Sequence, residues 1–170
     1  MKTFQQFIDD IPELDESSMS RIKAQSDKGG TAVMSASRGN LSKKENRARA
    51  KKLDRDIRGK FGKGATKVTG KYDEKDEKTG ETKRVKERSH VIQSGKMGKR
   101  KFKKAVKSLG KKYGQDSVIT QQKGDKSATL KRTRKGGLPK RNIKLGKMRP
   151  GRSGENETQK KGKTFTYDTK

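Results

Sequence analysis

The sequence predicts an α+β domain, a small two-layer sandwich in which both helices lie on one face of a sheet. Two segments repeat their apolar residues with helical spacing, and shorter runs with strand character precede, separate and follow them. The predicted order is strand, helix, strand, strand, helix, strand, with a short fifth strand at the end. This order suggests a ferredoxin-like β-α-β-β-α-β arrangement.

The first helix is predicted over Ser42–Arg58 and is the clearest folding signal in the chain. Ser42 and Glu45 have the spacing of a capping box, in which each side chain satisfies a backbone N–H of the other residue. Ala50, Leu53 and Ile57 fall on one face, and basic residues cover the others. One side of this helix is therefore expected to pack on the sheet.

The second helix is predicted over Gly98–Tyr113, where an apolar stripe runs from Phe102 to Tyr113 with basic residues on the other side. Strands are predicted at residues 31–37, 65–72, 82–93, 116–121 and 128–130. The predicted core is Val33, Met34, Leu53, Ile57, Val68, Tyr72, Val91, Ile92, Phe102, Val106, Leu109, Tyr113, Val118 and Ile119.

The composition predicts a folded middle with unfolded flanks. Only 24% of residues are hydrophobic and 40% are charged, which is too little apolar surface to fill a core along the whole chain. We expect an acidic amphipathic leader at residues 1–16, a linker at 17–30, the α+β domain at 31–131 and a disordered polybasic tail at 132–170.

The segment Met1–Glu16 differs from the rest, since it holds five acidic residues and one lysine. Its apolar residues fit a short helix that would dock on a partner or cap the chain's own domain. MKTFQQFIDD resembles the capsid-targeting leader of the internal head proteins of T-even-type tailed phages. The resemblance implies contact with the prohead scaffold or core, and removal of the leader by the prohead protease after Glu16, with Leu14 two residues before the cut.

A second resemblance spans roughly residues 31–122. SASRGNLSKKENRARAKKL, GKYDE, ERSHVI and KSLGKKYGQDSVI are similar to segments of a small uncharacterised bacterial and phage domain family. The resemblance implies a common fold and supports the domain boundaries. It implies no catalytic residues.

Charge gives the strongest functional indication. The chain has 48 Lys and Arg against 20 Asp and Glu, a net charge of +28, which favours a polyanionic partner such as nucleic acid. No base-reading motif is present, so non-specific phosphate contacts are expected. The predicted contact residues are Lys43, Lys44, Arg47, Lys51, Lys52, Arg55, Lys103, Lys104, Lys107, Lys111, Lys112, Arg132, Arg134, Lys135, Lys140 and Arg141.

Catalytic signals are weak. The chain has no cysteine and one histidine, His90, so no metal site and no cofactor are expected. Glu87 and His90 fall on opposite faces of an ideal strand, which argues against a carboxylate–imidazole pair. Ser35, Ser37 and Ser89 lie in no nucleophile motif. We expect no enzymatic activity, although an enzyme with an unrecognised site stays as a minor alternative.

One polar cluster stands apart at the junction of the first strand and first helix. Its predicted members are Arg38, Glu45, Asn46, Arg49 and Gln115. These residues form either a capping and salt-bridge network or a specific site.

These observations together predict a phage virion internal head protein that is packaged with DNA. It would lie in the head interior, pass through the host cytoplasm during assembly and after ejection, and meet a host target that the sequence does not identify. The alternative is a nucleic-acid-binding protein of ribosomal or nucleoid type. Phe165 and Tyr167 would stack on bases, dock on a partner or have no role. No membrane partner is expected, because no apolar run has the length of a spanning helix.

Overall fold

A nine-stranded antiparallel sheet with two long helices on one face forms most of the described part of the chain. The structure is a computed structural model that describes residues 21–26, 28–76, 78–136, 139–151, 156–160 and 163–167. The helices are α1 (Lys43–Phe61) and α2 (Lys99–Lys112). The strands are β1 (Thr31–Ser35), β2 (Thr66–Lys75), β3 (Thr82–Gln93), β4 (Ser117–Gln121), β5 (Ala128–Arg132), β6 (Ile143–Gly146), β7 (Met148–Pro150), β8 (Asn156–Lys160) and β9 (Lys163–Tyr167).

The strand order is β6-β5-β4-β1-β3-β2-β8-β9-β7, and each paired neighbour is antiparallel. The predicted α+β class is therefore confirmed. The ferredoxin-like arrangement does not describe the whole sheet, because five further strands flank the inner order β4-β1-β3-β2. The face of the sheet under the helices is called the convex face below, and the opposite face is called the concave face.

The main core lies between the helices and the convex face. Leu53 and Phe102 are fully buried there, against Met34 and Ile92 of the sheet. The capping box predicted for α1 is present, with Glu45 N–H donating to Ser42 Oγ at 3.2 Å and Ser42 N–H donating to Glu45 Oε2 at 2.8 Å. Gly62 closes α1 with a φ of 70°, a left-handed conformation that glycine adopts without strain.

The concave face has a second, smaller apolar cluster. Val33, Val68 and Val91 lie on the central strands and contact Met148 of β7. Because side chains alternate across a strand, β1 and β3 contribute to both clusters. The predicted core residues are buried or half-buried, and the side chain of Tyr72 lies outside the described set.

The predicted linker contains an ordered segment. Residues 21–26 are helical, and Ile22 is only 2% exposed within the concave-face cluster. Ser26 Oγ lies 3.2 Å from Thr31 Oγ1, and Gln25 contacts Gln93 through their side-chain amides. The leader at 1–16, with Leu14 and Glu16, lies outside the described residues.

The prediction of a disordered tail is wrong for the part of the tail that the structure describes. Strand β8 pairs with β2, with Gly70 opposite Thr158, and β9 and β7 extend the sheet further. Composition pointed to disorder because the segment is basic and rich in glycine. The backbone groups of the β2 edge provide pairing partners that composition does not reveal.

Candidate functional site

A cavity of about 640 Å³ opens on the concave face, between the central strands and the C-terminal strands. Its walls mix apolar, hydroxyl and charged side chains. The apolar lining residues are Val33, Met34, Val118, Ile119, Leu130 and Leu145, and the polar ones include Ser35, Ser37, Arg38, Lys71, Glu87, Ser89, Gln115, Asp116, Arg134, Thr158 and Tyr167. This mixture suits a small organic ligand that carries charge.

Strand register builds the floor of the cavity. Ser35 lies opposite Ser89 across β1 and β3, and Gly70 lies opposite Glu87 across β2 and β3. A Cβ atom on Gly70 would stand 2.9 Å from Ser89 Oγ, closer than a methyl group tolerates. Glycine at this position therefore leaves room over the floor beside the Glu87 side chain.

Ser35 is engaged in backbone support. Its hydroxyl donates to the carbonyl of Arg88 at 3.0 Å and accepts from the N–H of Ser37 at 3.0 Å. This arrangement fixes the end of β1 at the cavity wall. Within the described residues no base partners the Ser35 hydroxyl, so the geometry does not make it a nucleophile.

The rim of the cavity is formed by residues 37–40 and is held by Asn46 of α1. Arg38 N–H donates to Asn46 Oδ1 at 2.9 Å, and Asn46 Nδ2 donates to the carbonyls of Arg38 and Leu41 at 3.0 and 3.2 Å. The Arg38 guanidinium donates to the carbonyl of Gly114 at 3.4 Å. The rim loop is thereby bonded to α1 and to the segment that follows α2.

The side chains of Arg49 and Gln115 hydrogen-bond to backbone carbonyls in and next to the rim. Arg49 Nε donates to the carbonyl of Ala36 at 2.7 Å, and its NH2 donates to the carbonyl of Tyr113 at 2.5 Å. Gln115 Nε2 donates to the carbonyl of Ser37 at 3.0 Å. Both side chains therefore connect β1 to the segment that follows α2.

The structure brings together four of the five residues of the predicted polar cluster. Arg38 and Gln115 line the cavity, while Asn46 and Arg49 support its rim. Glu45 stays in the capping box, where hydrogen bonds from Ser42 lower the pKa of its carboxyl. A ligand-binding role for this cluster stays a prediction.

Two carboxylates line the cavity, and their surroundings differ. Asp116 forms an ion pair with Arg134, whose Nε lies 2.5 Å from Asp116 Oδ1. Glu87 is half-buried on the floor beside Gly70. Glu87 therefore places a carboxylate on the floor of the cavity.

Tyr167 closes the cavity from β9. Burial raises the pKa of its phenol, so the hydroxyl stays protonated at neutral pH. Tyr167 was predicted only as an aromatic residue of the C-terminal tail. Gly70, Leu145 and Thr158 also line the cavity, and the sequence did not predict this. An aromatic residue in an otherwise polar, basic segment was the signal that could have found this side of the cavity.

His90 lies on the opposite face of the sheet, as predicted from its spacing to Glu87. It pairs with Met34 across β1 and β3, and it is 1% exposed beneath α1. Burial lowers the pKa of its imidazole, so the ring is neutral at pH 7. His90 takes no part in the cavity.

The predicted nucleic-acid contacts lie mainly outside the cavity. Those on the helices are exposed on the outer faces of α1 and α2. Some already have protein partners, since Lys112 Nζ lies 2.7 Å from Asp56 Oδ2 and Arg132 NH1 donates to the carbonyl of Lys140 at 2.5 Å. Of the predicted set, Arg134 lines the cavity.

The described ranges contain no candidate metal centre and no candidate membrane span. No group of three or more His, Asp or Glu residues there could hold a metal ion. None of the helices there has the length and apolar character needed to cross a membrane.

Comparison with known proteins gives the family. The model of the S-adenosylmethionine lyase family matches residues 32–170, and the chain belongs to this family. No curated protein matches the chain. Among solved structures, the chain is similar to a phage S-adenosylmethionine lyase in complex with S-methyl-5'-thioadenosine, with 16% identity over 71% of this chain and 91% of that chain, and a TM-score of 0.37.

Family membership overturns the functional predictions from charge and from the leader. The prediction that the chain is not an enzyme is wrong, because its family is one of lyases. The internal head protein, the ribosomal or nucleoid protein, and packaged DNA and the prohead as partners are likewise wrong, because the family acts on S-adenosylmethionine. The net positive charge indicated a nucleic-acid partner because most charged residues lie on the protein surface. The chemistry of the cavity depends on only a few side chains, which hardly affect the overall composition. The location in a virion head and in the host cytoplasm stays a prediction.

Proposed function

We propose that this chain is an S-adenosylmethionine lyase whose active site is the concave-face cavity. The match of the family model to residues 32–170 carries the proposal. The matched range contains the strands that line the cavity, including β8 and β9. The cavity of about 640 Å³ lies within the range of roughly 300–1,000 Å³ typical of small-molecule sites.

The chemistry of the cavity fits this substrate. The methionine part of S-adenosylmethionine carries a sulfonium cation, an ammonium and a carboxylate. The adenosine part carries a purine ring with apolar faces. Glu87 offers a carboxylate to the cationic groups, and Arg38 on the rim offers a guanidinium to the carboxylate. Val33, Ile119 and Leu130 form an apolar wall for the purine.

A lyase reaction breaks the bond between the sulfonium sulfur and Cγ of the methionine part without water. The sulfur keeps the electron pair and leaves as S-methyl-5'-thioadenosine, a neutral thioether. The simplest balanced route has the substrate's own carboxylate attack Cγ, which closes a five-membered lactone and needs no proton transfer. The negative charge of the attacking carboxylate and the positive charge of the sulfonium both decrease in this transition state. A cavity with little water favours this neutralisation.

The route makes few demands on the protein. The side chains must fold the methionine part so that its carboxylate lies behind the Cγ–S bond, and must keep water away. This agrees with a site whose described residues include no paired nucleophile and base. His90 lies on the other face, and the Ser35 hydroxyl is engaged with backbone.

The test is to incubate the full chain with S-adenosylmethionine in water enriched in ¹⁸O and to analyse the products by mass spectrometry. We expect S-methyl-5'-thioadenosine together with a lactone free of ¹⁸O. Later hydrolysis of the lactone would place the label in the carboxyl group. Label in the Cγ hydroxyl would indicate direct attack by water and contradict the lyase, and absence of turnover would contradict an enzyme of this family.

A further inference from the structure

A second, smaller cavity lies on the convex face, between α2 and strands β4 and β5. Its volume is about 200 Å³, and its walls come from Lys103, Lys107, Lys131, Arg132 and Asn142, with Val118 and Thr120 behind them. Val118 lines both cavities, and all their other lining residues differ. The charged groups of the two cavities are therefore distinct.

Cationic groups converge on this small volume. Lys103 and Lys107 are four residues apart and share one face of α2, and Lys131 rises from β5 opposite Val118. Burial, and the nearby amino groups of Lys103 and Lys107, lower the pKa of Lys131.

Few carboxylates offset the positive charge of this cavity. Within the described residues, the carboxylate whose charge reaches Lys131 is that of Asp125 in the β4–β5 turn. That carboxylate already accepts from the backbone N–H of Gln122 at 3.1 Å. Bringing like charges together costs free energy, and a bound anion would remove the cost.

Neighbouring groups supply directional donors. Asn142 Oδ1 accepts from the backbone N–H of Arg132 at 2.9 Å, which leaves the amide nitrogen of Asn142 as a donor. The Arg132 guanidinium is held by the carbonyl of Lys140. The lining set thus combines ammonium, guanidinium and amide donors, which is the set that binds phosphoryl oxygens.

We propose that the cavity formed by Lys103, Lys107, Lys131, Arg132 and Asn142 binds a phosphoryl oxyanion. The volume suits one or two phosphoryl groups. The ligand is free phosphate or pyrophosphate, or the phosphate end of a nucleotide. This site does not rest on the proposed lyase reaction, because apart from Val118 its lining residues differ from those of the concave-face cavity.

The experiment is isothermal titration calorimetry of the full chain with inorganic phosphate, pyrophosphate and a nucleoside triphosphate, in chloride buffers of equal ionic strength. We expect saturable binding with a stoichiometry near one. A triphosphate that binds no more tightly than pyrophosphate would assign the site to free oxyanions, and tighter binding would assign it to nucleotides. Either pattern supports the proposal.

The variant Lys131→Gln should weaken binding by about tenfold or more, since a charge-assisted hydrogen bond is lost. The double variant Lys103→Gln/Lys107→Gln keeps the test valid if Lys131→Gln does not fold, because both residues are exposed. The matched control is Lys104→Gln/Lys111→Gln, which removes the same charge from α2 outside the cavity. Circular dichroism would check the fold of each variant.

Three outcomes would overturn the proposal. The first is no saturable binding of any oxyanion. The second is equal weakening in the control variant, which would indicate diffuse attraction to a basic surface. The third is competition between pyrophosphate and S-methyl-5'-thioadenosine, which would place the anion in the concave-face cavity.

Discussion

Glu87 has a role that depends on where its strand places it. It lies on the cavity floor opposite Gly70, whose missing side chain leaves space beside the carboxylate. The other lining carboxylate, Asp116, is paired with Arg134. A cationic substrate bound over this floor is therefore expected to contact Glu87.

The variant Glu87→Gln should lower kcat/KM for S-adenosylmethionine by about 10- to 100-fold, because a hydrogen bond to a charged group contributes about 1.5–3 kcal/mol. Steady-state kinetics would measure the change. Glu81→Gln is the control, since Glu81 is exposed in the turn before β3. Unchanged kinetics in Glu87→Gln would remove this residue from the site.

His90 predicts a pH dependence of stability. Its pKa is lowered by burial in the folded state, so below about pH 6.5 the unfolded chain binds more protons than the folded chain. The free energy of unfolding should be constant above that pH and fall below it, by at most about 1.4 kcal/mol per pH unit. Urea unfolding at several pH values would measure it.

The chain has one histidine, so the test is clean. In His90→Gln the slope between pH 7.5 and 5.5 should disappear even though the variant is less stable overall. A slope that persists in the variant would assign the proton uptake to other groups. The charges that act on His90 are those of Asp54, Lys67 and Arg88.

At the scale of elements, the C-terminal strands decide whether the cavity exists. β8 pairs with β2 through four residues, from Thr69 opposite Gln159 to Tyr72 opposite Asn156. β9 and β7 then bring Tyr167 and Met148 over the concave face. Without these strands, β2 would be an exposed edge, and one wall of the cavity would be absent.

Hydrogen exchange followed by mass spectrometry would test this arrangement on the full chain. Backbone amides in 156–160 and 163–167 should exchange markedly more slowly than those of an unstructured peptide, because they are paired in the sheet. A synthetic peptide of residues 156–167 gives the reference rate for an unpaired chain. Exchange of both tail segments at the rate of that peptide would restore the disordered tail predicted from composition.

At the scale of the whole molecule, the net charge of +28 opposes a substrate that is itself a cation. The long-range repulsion acts on the approach of the substrate, whereas the proposed contact with Glu87 acts inside the cavity. Salt screens the first effect strongly, since the Debye length falls from about 30 Å at 0.01 M to about 8 Å at 0.15 M. Contacts in a partly buried cavity are screened much less.

We therefore expect kcat/KM for S-adenosylmethionine to rise a few-fold between about 0.01 M and 0.15 M salt. The neutral product S-methyl-5'-thioadenosine is the matched control, and its inhibition constant should change little. A decrease of kcat/KM with salt would indicate that local acidic groups dominate the approach of the substrate.

Much of the architecture was predictable from local patterns. The two helices, the capping box at Ser42 and strands β1 to β5 follow from periodicity and turn residues within a few positions. The rim cluster was also predictable, because Asn46 and Arg49 lie one turn apart on a helix that follows directly from β1. These features depend on residues that are close together in the sequence, so they can be recognised from one sequence alone.

Local sequence patterns were enough to predict the amphipathic helices, the inner strands, the basic outer surface and the position of His90 on the face away from Glu87. Only the tertiary structure placed Glu87, Gly70 and Tyr167 around one cavity and folded a basic tail into the sheet. The reason is physical. Periodicity reports which face of an element is apolar, whereas a cavity depends on register between distant strands, and β2 and β8 meet only after the sheet has formed.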